Sequence, residues 1–262
     1  MKRNILFWII ASIITLASAY YQRATGPTHP FNGKVNLSGT EIKYKLIRSF
    51  PMPMDAPIRV NVEDTLVTGC FKYKRYPSHD EWTYEDMVRK DGQLIAYIPQ
   101  QPHAGKVMYK IFLEKNGEEV ELSEKPLIIR FRGDVPAWAM IPHIILMFAA
   151  MLFSMRVGIA AIFKDKTFKL TLLTLIFLLA GGLIFGPIVQ KYAFGDYWTG
   201  WPFGTDLTDN KTALAFIFWL FAFYKTYKNH NHRTWVVVAS IVLLLIYLIP
   251  HSMFGSEIDF RE

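Results

Sequence analysis

Apolar residues follow two different rhythms along this chain. Between residues 35 and 132 they come in short runs that alternate with polar positions, and from residue 135 onward they come in long, nearly unbroken blocks. Alternation with period two marks a half-buried strand. An apolar block of ~20 residues is what a helix needs to cross the hydrocarbon of a bilayer. Five blocks are read as spans: residues 5–21, 135–155, 170–189, 211–227 and 234–249. The last two are short for a perpendicular crossing, and flanking aromatics or local thinning of the bilayer would complete them.

The strand rhythm is clear at residues 41–48, where Ile42, Tyr44 and Leu46 alternate with Lys43 and Lys45, and at 58–62, where Ile58, Val60 and Val62 alternate with Arg59 and Asn61. Residues 68–76, 93–98, 106–115 and 127–132 continue it. Turn signals separate the runs at Met52-Pro53, Asp91-Gly92, Ala104-Gly105 and Asn116-Gly117, the last being a strong hairpin signal. About seven strands at this spacing predict an antiparallel β-sandwich. The expected fold class is therefore an α+β membrane protein: a β-sandwich plus a transmembrane helical bundle made of an N-terminal anchor and four C-terminal helices. The expected domains are 1–21, a transmembrane anchor or signal sequence; 22–134, an extracytoplasmic β domain; and 135–262, a four-helix transmembrane domain with a structured outer loop at 190–210.

Composition sharpens this division. Of the 51 charged residues in the 262-residue chain, 32 lie in residues 21–134, as 17 basic and 15 acidic side chains. The net charge of +7 raises the question of nucleic acid. The β segment is nearly balanced, however, and the surplus sits at the ends of the apolar blocks, which argues against a nucleic-acid partner. The ends assigned to the cytoplasm hold Lys2, Arg3, Arg156, Lys164, Lys166, Lys169, Lys225, Lys228 and Arg233 against one acid, Asp165. The opposite ends, from the third span onward, hold more acids than bases. Positive ends stay inside, so the N-terminus is expected inside, with the β domain and the C-terminus outside, in a bacterial cytoplasmic (inner) membrane. Arg156 is expected to snorkel to the inner headgroups.

The first span begins with Lys2 and Arg3 and contains Ala17-Ser18-Ala19, a small-residue cleavage motif. Signal peptide and retained anchor are both compatible with this pattern; Tyr20 and Tyr21, suited to the interfacial belt, favour the anchor. In the third span, Gly182 and Gly186 form a small-xxx-small face for close helix packing, and Pro187 is expected to bend or end the helix near the outer surface. One cysteine, Cys70, excludes an intrachain disulfide and is expected to be a small buried thiol in a strand.

The run Pro102-His103-Ala104-Gly105-Lys106-Val107-Met108-Tyr109-Lys110-Ile111 resembles the late-strand region of fibronectin-type-III and immunoglobulin-like modules. That resemblance implies a sandwich with Tyr109 at the sheet corner and a scaffold or contact role, and it implies no catalytic residue. No nucleophile elbow, phosphate loop, paired-cysteine metal motif or internal repeat is present. The polar cluster His79, Asp80, Glu81, Glu85 and Asp86 around Trp82 is read chiefly as a solvated loop leading into a strand edge, with a metal site as the rarer alternative.

The least ordinary segment is the loop after the third span. It carries six aromatics between Tyr192 and Phe203, with Asp196, Asp206 and Asp209, and is long for a compact bundle. Trp and Tyr favour the membrane interface, Gly and Pro favour turns, and Asp209 or Thr208 is placed to cap the fourth span. The sharper reading places a cofactor here. His143 lies near the outer end of the second span and His251 just beyond the fifth, so His143, His251, Trp198 and Trp201 are candidate cofactor contacts, and Asp206, Asp209 and Glu257 candidate metal ligands. Histidine ligates both haem iron and zinc. The run from Trp198 to Asp206 is similar to the aromatic outer loop of membrane haem-handling proteins in cytochrome c assembly, which implies haem held by histidines of flanking spans; a divalent metal is the other candidate.

Three functions follow. The first is a non-enzymatic accessory or assembly factor with a partner-binding β domain, in contact with the lipid bilayer and with a membrane-protein partner or a second copy of itself. The second is a haem- or metal-binding membrane protein with its site at the outer face. The third is a small transporter, which the scarcity of ionisable residues within the spans disfavours.

Overall fold

A computed structural model describes residues 2–204, 206–250, 253, 255 and 257–261. The chain is α+β: an N-terminal helix, a set of mixed β-sheets, and then five helices. It divides into two compact units. One comprises residues 1–27, 135–192 and 196–256, and the other residues 28–134, 193–195 and 257–262.

Among the described residues the β unit has eleven strands: β1 Phe31–Leu37, β2 Thr40–Leu46, β3 Ser49–Pro51, β4 Ala56–Asn61, β5 Thr68–Tyr76, β6 Thr83–Asp86, β7 Val88–Lys90, β8 Gln93–Ile98, β9 Lys106–Lys115, β10 Glu118–Glu121 and β11 Leu127–Arg132. They form a β1–β2 hairpin, a six-stranded sheet in the order β3-β11-β9-β5-β6 with β10 also on β9, and a three-stranded β4-β8-β7 sheet. This departs from an all-antiparallel sandwich, because β3 runs parallel to β11.

Alternation sets which face is buried. In β9 every second residue, Val107, Tyr109, Ile111 and Leu113, lies inward, and Phe71 of β5 and Phe131 of β11 are fully buried in the same core. Tyr109 is fully buried, and its hydroxyl donates to the carbonyl of Ile47, 62 residues upstream, at 2.7 Å. Burial pushes its phenol pKa upward. Asn116 and Gly117 take positive φ between β9 and β10, as a two-residue hairpin requires. Arg89 clamps the 62–67 turn by donating to the carbonyls of Val62, Asp64 and Val67.

Cys70 is half-buried rather than buried, because the alternation of β5 puts Phe71, not Cys70, in the core. The 79–86 cluster is a loop leading into the exposed edge strand β6. There Arg75 holds both oxygens of Asp80, and Glu85 accepts from the Tyr73 hydroxyl. Residues 193–195 and 257–261 complete the unit. Gly133 N–H donates to Ala193, Lys106 pairs with Glu257, and the Phe260 N–H donates to Pro77.

In the helical unit α1 is Lys2–Thr25, α2 Ala137–Ile162, α3 Phe168–Leu178, α4 Gly186–Phe194, α5 Leu207–Lys228 and α6 Arg233–Leu248; a π-helical segment, Leu179–Phe185, joins α3 to α4. Among the described residues three helical stretches are long and apolar enough to cross a membrane: Lys2–Thr25, Ala137–Ile162 and Phe168–Phe194. Helix α6 is apolar but has 16 residues, about 24 Å of rise against a hydrocarbon core of ~30 Å.

Each helix buries a stripe. Phe7, Ala11, Thr15 and Ser18 of α1 are buried, whereas Ile5, Leu6, Ile9, Ile13 and Leu16 are exposed. Small residues set the closest approaches: a Cβ on Gly158 would lie 2.7 Å from Ser240 Oγ, whose hydroxyl bonds the Ser154 carbonyl of α2. Arg156 is 7% exposed, donates to Asn4 Oδ1, and lies over the rings of Phe7 and Trp8. Stacking on two rings helps to hold the guanidinium against α1.

Replacing Tyr109 with Phe removes the hydroxyl that bonds Ile47 and is expected to destabilise the β unit by ~1–2 kcal/mol. Phe71→Ala empties core volume and is expected to cost ~3–5 kcal/mol. Urea unfolding of the full chain in non-ionic detergent checks both, and a Tyr109→Phe curve superimposed on wild type would rule out a stabilising role for that bond.

Candidate functional site: the loop clasp and the histidine at the π-helical turn

The loop between α4 and α5 is held by side chains that approach from its two ends. The carboxylate of Asp209, in the first turn of α5 and 5% exposed, accepts at Oδ2 from the backbone N–H groups of Thr199 (2.7 Å) and Gly200 (3.0 Å) and from Gln190 Nε2 of α4 (3.0 Å). Asn210 Oδ1 accepts from Trp201 N–H at 2.7 Å. Thr199 Oγ1 bonds both Gln190 Nε2 and Asp206 Oδ2. Glycine is required at position 200, where a Cβ would stand 2.6 Å from that of Asp209.

The cap of α5 is Asp206, not Asp209 or Thr208: Asp206 Oδ1 accepts from Thr208 N–H at 2.7 Å. The helix begins one turn earlier than the apolar pattern indicates, and Asp209 is thereby freed to bind the loop. A carboxylate in this first turn also suits the positive end of the helix dipole.

The ordered backbone leaves aromatic side chains outside. Trp201 is 78% and Phe203 83% exposed. Trp198 is half-buried and its indole N–H donates to the Trp201 carbonyl at 3.1 Å. The two tryptophans are thus neighbours through the backbone, with the Trp201 ring turned outward. Trp138 and Tyr192 meet edge to face at 6.1 Å.

His143 lies on α2 beside the π-helical turn. That turn is defined by the Gly186 N–H reaching the carbonyl of Gly181, five residues back. The same carbonyl lies 2.8 Å from His143 Nδ1. A carbonyl only accepts, so Nδ1 carries the proton, and the neutral ring keeps its lone pair on Nε2. Gly181 and Gly182 make this possible, since Cβ atoms there would stand 2.8 Å from Leu146 on α2 and 2.8 Å from Thr212 on α5. The close-packing glycines are therefore 181 and 182, whereas a Cβ on Gly186 would stand at ordinary contact distance, 3.8 Å, from the His143 ring. Pro187 neither ends nor sharply stops the helix, which continues to Phe194, because the π turn just before it absorbs the missing N–H.

Of the residues singled out from sequence, Asp206 and Asp209 come together with Thr199, Gln190 and Asn210; His143 is placed at the π turn; and Glu257 belongs to the β unit, where it pairs with Lys106. His251 lies outside the described residues. Among the described residues no group of three or more His, Cys, Asp or Glu is arranged to hold a metal ion. Gln190, Thr199 and Asn210 carry no motif, and only their spacing from Asp209 across a glycine-rich loop hints at their role. No protein-family model matches the chain, and no curated protein is similar to it in sequence.

The Asp209→Asn variant keeps the shape but turns one oxygen into a donor facing three N–H groups. It is expected to cost ~3 kcal/mol of local stability and to open residues 198–203 to chymotrypsin. A cleavage rate equal to wild type would show that the clasp does not hold the loop.

Proposed function

We propose that this chain is a membrane-embedded, non-enzymatic accessory or assembly factor that presents its β unit to a partner outside the cytoplasm. The observation that carries this reading is the division of the chain into a helical unit with candidate membrane spans and a β unit with its own water-soluble type of core. The polar side chains of the helical unit serve its own packing: Asp209 holds the loop, Ser240 joins α6 to α2, and Arg156 joins α2 to α1. Phe7, Trp8 and Asn4 surround Arg156, which supports α1 as a retained span rather than a cleaved signal sequence, since removal of residues 1–19 would strip the guanidinium of these partners. The basic residues at the ends of α1, α2, α3, α5 and α6 support an N-terminus inside and a β unit outside, in a bacterial cytoplasmic membrane.

Two measurements test this. Intact mass of the purified protein is expected to include residues 1–19, and gentle solubilisation with crosslinking is expected to recover a complex larger than one chain. Loss of 1–19 would overturn the retained span, and a lone monomer under all crosslinking conditions would overturn the accessory role.

A second reading rests on His143. Its Nδ1–H is fixed by the Gly181 carbonyl, and among the described residues Nε2 has no partner. A backbone carbonyl on one imidazole nitrogen is the usual support for a histidine that ligates through the other. Haem or a divalent metal at the outer face would use that lone pair. The absorption spectrum of the protein expressed with added haem is the test. A Soret band that shifts with dithionite and disappears in His143→Ala supports it, and a featureless visible spectrum removes haem.

A further inference from the structure

The β unit contains a groove of about 260 Å³, lined from one side by β2 and from the other by β4 and β8. Its charge is one-sided. Lys43 and Lys45 of β2 and Arg59 of β4 line it, with the amides of Asn61 and Gln93 beside them and Ile47 as an apolar contact. No carboxylate lines it among the described residues, although the surrounding segment carries nearly equal numbers of acids and bases. Glu41 approaches Lys43 only at 3.5 Å and is shared with Lys34. Lys45 and Arg59 have no ion pair among the described residues, and both are exposed.

Strand geometry gives this charge a pitch. In β2 the alternate residues Ile42 and Leu46 are buried and the Tyr44 hydroxyl bonds inward to the Leu122 carbonyl, so Lys43 and Lys45 fall on the outward face. Arg59 and Asn61 fall on the outward face of β4 by the same alternation. Residues two apart in a strand are separated by ~7 Å, which is also the spacing at which an extended peptide presents alternate side chains on one face. Gln93 Nε2 donates to Asn61 Oδ1 at 2.8 Å, which leaves the Asn61 NH2 to donate to a bound main chain. A single phosphate would engage one point of such a row, and a flat bilayer surface does not fill a recess.

We propose that this groove binds an extended acidic segment of a partner protein, its carboxylates at alternate positions meeting Lys43, Lys45 and Arg59. The inference rests on the reading of the β unit as partner-binding and names the chemistry of that partner.

The test uses the full chain in non-ionic detergent and a fluorescein-labelled octapeptide alternating glutamate and threonine, followed by anisotropy. Saturable binding is expected. It should weaken by about tenfold or more in Lys45→Glu/Arg59→Glu, weaken less in Lys45→Gln/Arg59→Gln, stay unchanged in Lys125→Glu, and fall as salt shortens the range of the charges. An octapeptide alternating lysine and threonine should not bind. Equal binding by the double charge-reversal variant, or no binding by wild type, overturns the proposal. So does displacement of the peptide by inorganic phosphate, which would make the groove a simple anion site, or by phosphatidylglycerol vesicles, which would make its occupant a membrane. If the peptide fails while the crosslinked complex persists, the groove assignment falls and the accessory role stands; if both fail, both fall.

Discussion

A hydrocarbon interior offers no water to take up a hydrogen bond that the backbone gives up, and a unit with helices apolar enough to cross a membrane has to meet that constraint from within. Irregular points of the helical unit have internal donors. The π turn leaves the Gly181 carbonyl to be shared by the Gly186 N–H and His143. The Tyr247 hydroxyl reaches the Met147 carbonyl at 2.6 Å, and Ser240 reaches that of Ser154. The glycines and small residues that permit close approach are therefore not only packing devices. They bring a side-chain donor on one helix within reach of a carbonyl on the next.

The β unit is organised differently. Its core is built of Phe71, Tyr109, Phe131 and the alternating aliphatic residues, and side-chain donors again reach carbonyls, as Tyr109 does that of Ile47 and Arg89 those of the 62–67 turn. Charged residues are kept at the faces and edges. The exposed edge strand β6 carries Glu85 and Asp86, and charge on an edge discourages uncontrolled strand pairing. Where a face carries cations without acids, as around Lys45 and Arg59, packing gives no reason for the imbalance.

Much of this was legible in sequence. The strands at 68–76, 93–98, 106–115 and 127–132 and the Asn116-Gly117 turn follow directly from alternation and turn chemistry, because those forces act between residues close in the chain. Short strands such as β3, β6 and β7 were not legible: three or four residues carry too little periodicity, and their pairing depends on distant neighbours. The parallel β3–β11 pair and the bond from Tyr109 to Ile47 are long-range choices of the same kind. In the helical unit the apolar blocks mark the helices, but the contacts of Arg156 are not legible, because Asn4, Phe7 and Trp8 stand about 150 residues away. In the loop between α4 and α5 both aspartates stand out in sequence, but the apolar pattern gives the cap to Asp209 or Thr208 rather than to Asp206, since a capping residue is set by where the helix begins and the pattern blurs that boundary.

The chemistry-bearing residues then separate by what the fold already asks of them. Asp209 has its Oδ2 filled by loop donors, and Asp206 caps a helix with one oxygen and bonds Thr199 with the other. For these, a ligand would have to displace bonds on which the loop depends. His143 differs because the imidazole has two nitrogens of distinct duty: the fold uses Nδ1 and leaves Nε2. Replacing it with Asn would keep a donor that can face the Gly181 carbonyl while abolishing the imidazole lone pair. Structure and chemistry at this position are thus separable in principle, whereas at Asp209 the geometry that would make a ligand is the geometry that holds the loop.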